Sequence, residues 1–378
     1  MTTTKPTRRG HNEGTIRHRD DGLWECRVSL PNGKRKSVYG KTRKDVQDKL
    51  RVTLRDLDAG LDISAGRQTV SQYLEGWLSA SAKPRVKVKT YEGYESIVRV
   101  RITPRLGRRS LSRLTALDVQ ALYADLEAGG LSNQSIQHTH RVLHSALKQA
   151  VRWGLIARNP CEGATPPRPE RAEMHVLTQD QVTAFLDATR DHPAHALYVL
   201  AVTTGMRQGE LFGLRWADIS LDAAKLMVRR ALQRQKVAGP VFIEPKTARS
   251  RRTILLSQRA ISALKEHRRR QLEERLRQGP DWQDGDLVFC NATGQSPDPG
   301  WQRQVFQAEL EQLGLPVIRF HDLRHTAATL LLAQGVHPKV VSEMLGHATI
   351  SLTLDTYSHL VPAMHAQAAA AMDALLGA

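Results

Sequence analysis

Four prolines within eighteen residues divide this chain before any other feature bears on it. Residues 159–176, NPCEGATPPRPERAEMHV, contain Pro160, Pro166, Pro167 and Pro169. Proline fixes φ and has no N–H to donate, so neither a helix interior nor a central strand can run through such a stretch. The chain must therefore fold as separate bodies on either side, with an extended linker placed over 161–176. Its 378 residues suffice for two or three domains of ordinary size.

Before the linker two patterns follow each other. Residues 11–60 read as a small β-β-β-α unit, giving a first domain over 1–62. From Leu23 to Leu30 the apolar residues alternate, with Trp24, Cys26, Val28 and Leu30 on one face and Glu25, Arg27 and Ser29 on the other. Pro31-Asn32-Gly33 supplies a turn, a second strand covers Lys34 to Tyr39, and a helix starts at Thr42 with Asp45 three residues on. Its apolar stripe is Val46, Leu50, Leu54 and Leu57. A second domain over 66–160 is all-helical. Thr115-x-x-Asp118 opens one of its helices and Ser132 caps another that faces inward through Ile136, Leu143, Leu147 and Val151.

Charge narrows the class of partner. The formal net charge is +17 and the pI about 10.1, an excess that points to nucleic acid. Residues 22–51 alone carry nine Lys or Arg against three acids, and a three-stranded sheet with a basic face can enter a major groove. The competing explanation is a solvated basic surface. No apolar run approaches the ~18–20 residues a membrane span needs, so a membrane partner is not expected. The start, MTTTKPTRRG, reads as a polar arm rather than a signal peptide. Cys26, Cys161 and Cys290 are far apart and form no C-x-x-C pair, which argues against a disulfide framework or a structural zinc site and fits a reducing cytoplasm.

Residues 177–378 form a mixed α+β, mainly helical domain that carries the chemistry. Strands are expected over 225–231, 241–245 and 251–257, and helices over 258–277, 301–313, 321–334, 337–346 and 351–360. Arg207 lies at a glycine-flanked helix start in TGMRQGEL, with Glu210 one turn on. Lys246, in Pro245-Lys246-Thr247, lies between two expected strands. His321 and Arg324, in HDLRHT, are spaced i and i+3 on one helical face. His347 follows in LGHATI and Tyr357 in DTYSH, ten residues later. Singly, each is more readily a structural ion pair, a cap or a packing residue. The ordered set is what carries information.

On TGMRQGEL, PKT, HDLRHT, LGHATI and DTYSH, in that order and spacing, the chain resembles the tyrosine recombinase (phage integrase) family. The likeness covers most of 177–360; 66–160 is similar to the family's helical core-binding domain and 1–62 suggests its arm-type DNA-binding domain. The resemblance implies a site-specific recombinase of a phage or mobile element. Tyr357 would be the nucleophile, forming a 3′-phosphotyrosyl bond on the way to a Holliday junction. Arg207 and Arg324 would clamp the nonbridging phosphate oxygens, to which guanidinium forks are suited. His347 would donate to the same phosphate, His321 would serve as base, Lys246 as acid on the leaving 5′-oxygen, and Glu210 would orient the site. Arg27, Lys34, Arg35, Lys36, Arg249, Arg251 and Arg252 are assigned to DNA contacts.

No cofactor is implied, neither metal nor ATP, because the phosphotyrosine keeps the energy of the broken diester. The implied partners are double-stranded attachment sites, a homotetramer on DNA with the helical and catalytic domains closing round the duplex, and an excisionase or host DNA-bending factor. A type IB topoisomerase shares this chemistry and is one alternative. A non-catalytic DNA-binding regulator is another, and it would not need Tyr357.

Overall fold

In a computed structural model the described residues are 15–356, apart from 30–34, 59–67, 171–173, 245–250 and 348, together with 372–373 and 375–376. The chain separates into two compact units, Met1–Arg171 and Ala172–Ala378.

The first unit opens with an antiparallel sheet of order β1 (Thr15–His18), β2 (Trp24–Ser29), β3 (Arg35–Gly40), followed by α1 (Arg43–Asp58). The Thr42 hydroxyl accepts from the Asp45 N–H at 3.1 Å, so the helix starts where a cap was expected. Cys26 and Val28 are buried against Val46 and Leu50 of α1, with Leu54 and Leu57 packed alongside. The expected Asn-Gly turn falls outside the described residues. Register corrects one assignment. Lys36 pairs with Val28 and Arg35 with Ser29, and since side chains alternate, Lys36 lies on the α1 side while Arg35 shares the outer face with Arg27.

That outer face is organised by a carboxylate. Glu25 is 1% exposed although it belongs to the polar side of β2. It accepts from Arg17 Nε at 2.7 Å, Arg27 Nε at 3.0 Å and Ser37 Oγ at 2.8 Å. The Ser37 hydroxyl and the Arg27 and Arg17 guanidiniums hold its pKa down to about 2. A depressed carboxyl adds stability above its unfolded pKa and loses it as pH falls through the folded one. Hydrogen exchange of β1–β3 should therefore be faster in Glu25→Gln than in wild type at pH 6, by about tenfold. The difference should shrink below pH 4.5 and vanish near pH 2. Equal exchange at pH 6 would show that the carboxylate does not hold the sheet.

The remainder of this unit is helical: α2 (Val70–Trp77), α3 (Val88–Ile97), α4 (Thr103–Leu106), α5 (Ala116–Ala128) and α6 (Asn133–Arg152). π-helical turns at Leu78–Ala82 and Val98–Ile102 extend α2 and α3. Capping boxes at Thr69/Gln72 and Thr115/Asp118 and the Ser132 cap set the starts. Tyr73, Leu74, Leu122, Ile136, Leu143 and Leu147 fill the core.

The first half of the expected linker belongs to this core. Pro160–Gly163 is a 3₁₀ turn, and Cys161 and Ala164 are buried against the helices. The Asn159 side chain caps the turn at Cys161 N and donates to His144 O at 3.1 Å. The Gln120 amide brackets Thr165, accepting from its N–H at 2.9 Å and donating to its carbonyl at 3.2 Å. Side-chain amides thus satisfy the backbone of a proline-rich segment that cannot make its own ladder, and the two compact units meet in sequence at 171/172, within the stretch 161–176.

The second unit contains α7 (Gln179–Ala188), α8 (His195–Thr204), α9 (Gln208–Phe212), β4 (Ile219–Ser220), β5 (Lys225–Val228), β6 (Ala231–Gln235), β7 (Gly239–Ile243), β8 (Arg252–Leu255), α10 (Gln258–Gln278), α11 (Pro299–Gln312), α12 (Asp322–Ala333), α13 (Pro338–Leu345) and α14 (Ile350–Thr356). Helix α8 is buried all round from Ala196 to Val202 and forms the spine of the core. The strand expected over 225–231 is two strands in different sheets: β5 pairs with β4 and β8, and β6 pairs with β7. The chain changes sheet at Arg229-Arg230, where Arg230 Nη1 binds the Asp218 carboxylate at 2.7 Å.

Candidate active site

Five of the side chains singled out in the sequence are gathered by α8, α9, α12 and the end of α13. Gly205 closes α8 at φ 59°, and a Cβ there would lie 2.5 Å from Leu345 Cδ2. Only glycine lets the chain turn this close to α13. The turn presents the Gly205 carbonyl to Arg324, whose Nη1 donates to it at 2.7 Å. Arg324 is 3% exposed. The first turn of α12, on which it stands, is pinned by Asp322, which accepts from Arg319 N at 2.8 Å and pairs with Arg319 Nη2 at 2.7 Å.

Arg207 is the residue that starts α9. Its Nη1 donates to Glu210 Oε1 and its backbone N–H to Glu210 Oε2, both at 3.0 Å, and its Nη2 reaches the Gly346 carbonyl at 3.4 Å. Glu210 is 4% exposed. Burial pushes its carboxyl up, but Arg252 and Arg207 outweigh this and the net shift is downward, keeping it an anion.

His347 follows the left-handed Gly346 that ends α13. Its Nδ1 lies 2.8 Å from the hydroxyl of Thr353 in α14, a side chain with no solvent exposure. Withdrawal from water, then the Arg324 and Arg207 cations, lower the His347 pKa to about 4. His321, at the start of α12, stands on the open rim, its ring edge-on to His325 with centroids 5.5 Å apart. Partial desolvation, His325 and Arg324 push it down to about 4 as well. Both imidazoles are therefore neutral at pH 7, and the same arginines act on both.

Lys246 and Tyr357 lie outside the described residues, as do Lys34 and Arg249. Arg251 is an exposed residue paired with Glu244 at 2.5 Å. Arg252 is the second assignment to be corrected. Its side chain is 7% exposed, it binds Glu210 at 2.8 Å, and it belongs to the interior of the cluster rather than to a DNA-facing surface. The signal was available: period-2 alternation puts Arg252 on the face of Ile254, which is buried. Thr353 and Asp322 were also missed, because neither residue type is distinctive without its partner. Among the described residues no group of three or more His, Cys, Asp or Glu could hold a metal ion, and no helix is long and apolar enough to cross a membrane.

Two guanidiniums and two neutral imidazoles in one cluster are a donor set for an oxyanion. The comparisons with known proteins agree. The phage integrase family model matches residues 175–364, and a model for the phage integrase N-terminal SAM-like domain matches 69–126. The chain belongs to the phage integrase family. A tyrosine recombinase XerC-like protein of Caldanaerobacter subterraneus is 33% identical over 352 residues, covering 88% of this chain and 90% of that protein. An integrase of Streptomyces ambofaciens is 31% identical, covering 97% of each. Among solved structures, the Tn1549 transposon integrase in complex with a circular intermediate DNA shares the fold at a TM-score of 0.69, with 23% identity over 82% of this chain and 99% of that one. A lambda integrase dimer bound to a COC′ core site does so at 0.58, with 19% identity over 93% and 96%. Membership makes the chain a tyrosine recombinase, an enzyme class rather than a binding module.

Proposed function

We propose that this integrase-family enzyme cuts and rejoins double-stranded DNA at paired attachment sites of a phage or mobile element, through a 3′-phosphotyrosyl bond to Tyr357. The observation that carries the reading is the convergence of Arg207, Arg324 and His347 on one face beside Glu210. Arg207 and Arg324 bind the nonbridging oxygens and offset the charge that grows on the phosphorane. The Tyr357 oxygen attacks phosphorus, its proton passes to neutral His321, and the P–O5′ bond breaks as Lys246 protonates the leaving oxygen. Religation runs the same steps backwards with a 5′-hydroxyl as nucleophile. The diester energy is conserved in the phosphotyrosine, so the reaction proceeds without metal or ATP.

His347 acts as a donor only if its proton sits on Nε2. A Thr353 hydroxyl donating to Nδ1 secures that tautomer. Thr353→Val keeps the shape and removes the bond, and single-turnover cleavage is expected to slow about tenfold with unchanged affinity for the site. An unchanged rate would remove Thr353 from the site.

The remaining parts bind. Residues 15–58 present Arg17, Arg27 and Arg35 on the outer sheet face towards arm-type DNA. The helical unit and residues 174–356 take the core site. Work on two duplexes calls for four protomers, with an excisionase or host DNA-bending factor deciding direction, in a bacterial cytoplasm. Incubating the protein in EDTA, without ATP, with a nicked suicide duplex of its core site tests the reading. A band that resists denaturation and carries the DNA is expected. Its absence with a duplex that the protein demonstrably binds overturns the proposal.

A further inference from the structure

Arg252 has more bonding in the interior than a strand arginine needs. Its Nη2 donates to Glu210 Oε2 at 2.8 Å, Nη1 to Glu210 Oε1 at 3.3 Å and Nε to the Met344 carbonyl at 2.5 Å. The first two contacts form a bidentate fork on the carboxylate that Arg207 also uses. The third fixes the plane of the guanidinium against the end of α13. Gly346 is tailored to this arrangement: a Cβ there would lie 2.9 Å from Arg252 Nη1. Charge balance is as telling. Glu210 faces two guanidiniums. Arg252 takes up part of the Glu210 negative charge, so Arg207 is not fully neutralised by that carboxylate and keeps attraction for an incoming anion.

We propose that Arg252 is a positioning residue that acts through Glu210 to aim Arg207 at the scissile phosphate. The proposal rests on the reading of Arg207 as a phosphate ligand given above. Strand β8 begins with Arg252, so the strand pairing that builds the β4-β5-β8 sheet also sets where Arg207 points. Lysine at 252 would keep a buried cation beside Glu210, and so the fold, but could not span both carboxylate oxygens and the Met344 carbonyl.

The test measures single-turnover covalent trapping on the nicked core-site duplex at saturating protein, with core-site affinity measured separately. Wild type, Arg252→Lys, Glu210→Gln and the double variant are compared. A displacement of about 1 Å at a catalytic group costs on the order of 100-fold, so each single variant should trap about 100-fold more slowly with affinity little changed. Because both act through one link, the double variant should be no more than about threefold slower than the slower single variant. Losses that multiply would overturn the proposal, since two independent structural defects would then be at work. So would weakened affinity with a normal rate at saturation, which would restore Arg252 to a DNA contact. A wild type that binds the duplex and never traps would instead refute the catalytic reading of the site, and the proposal with it.

Discussion

Tyr357→Phe should bind the core site as wild type does and form no covalent complex at all. The substitution removes one oxygen, the atom proposed to bond to phosphorus. A phenol has a free pKa of about 10 and is mostly protonated at neutral pH, so attack requires a base and nearby positive charge. The described cluster has both. His321 is neutral with a pKa near 4, and Arg207 and Arg324 stand within electrostatic reach of it. It offers no substitute nucleophile, because guanidiniums and hydrogen-bonded imidazoles cannot make a lasting phosphodiester. The position of Tyr357 in the chain fits the role: it follows directly on α14, whose Thr353 is bonded to His347. The assay is a denaturing gel of labelled suicide duplex with wild type and variant side by side. A covalent band of equal strength in the variant would assign the nucleophile to another residue and undo the mechanism. Loss of both the band and the binding would show that the phenol is needed for packing instead.

The two kinds of information in the sequence survived folding unequally. Helices with local start signals were legible: Thr42, Thr115 and Ser132 all precede helices, and at each a side chain meets the backbone three residues on. Arg207, Glu210, His321, Arg324 and His347, singled out because their types, order and spacing resemble one family, are side chains that the fold gathers. Positions whose role is fixed by non-local partners were less so. Arg252 looked like one more basic residue in the run ARSRR; alternation with Ile254 marks its inward face, but the partners that let a cation sit there, Glu210 forty-two positions earlier and the Met344 carbonyl, are non-local. Glu25 sat on the polar side of an alternating strand, and its burial depends on Arg17 and Arg27 closing over it. The proline-rich segment contains the step between the two compact units, but its composition could not show that Asn159 and Gln120 would dock its first half onto the helices. Strand β6 was merged with β5 because apolar alternation does not reveal which sheet a strand will join.

Arg324→Ala is expected to lower single-turnover cleavage about 1000-fold, at the upper end of what losing one preorganised oxyanion donor costs, roughly 2.7–4 kcal/mol. The loss is large because this guanidinium is 3% exposed and held by the Gly205 carbonyl. It costs no reorganisation when charge develops, and water cannot readily replace it. Lysine should recover little, since a point charge on a flexible stem cannot reproduce a fork held from behind. A second consequence separates this loss from a general loosening of the fold. Withdrawal from water is the first cause that holds His321 and His347 near pKa 4, and the Arg324 cation adds to it at both. Removing it raises both values towards the ordinary imidazole range, so protonation begins at higher pH. The residual rate of Arg324→Ala should therefore fall between pH 7 and pH 5.5, where wild type, with both imidazoles still neutral, is nearly flat. Trapping rates at several pH values on variant and wild type decide the matter. A variant within tenfold of wild type would remove Arg324 from the phosphate, and a variant whose acid limb coincides with that of wild type would break the electrostatic link between the arginine and the two histidines.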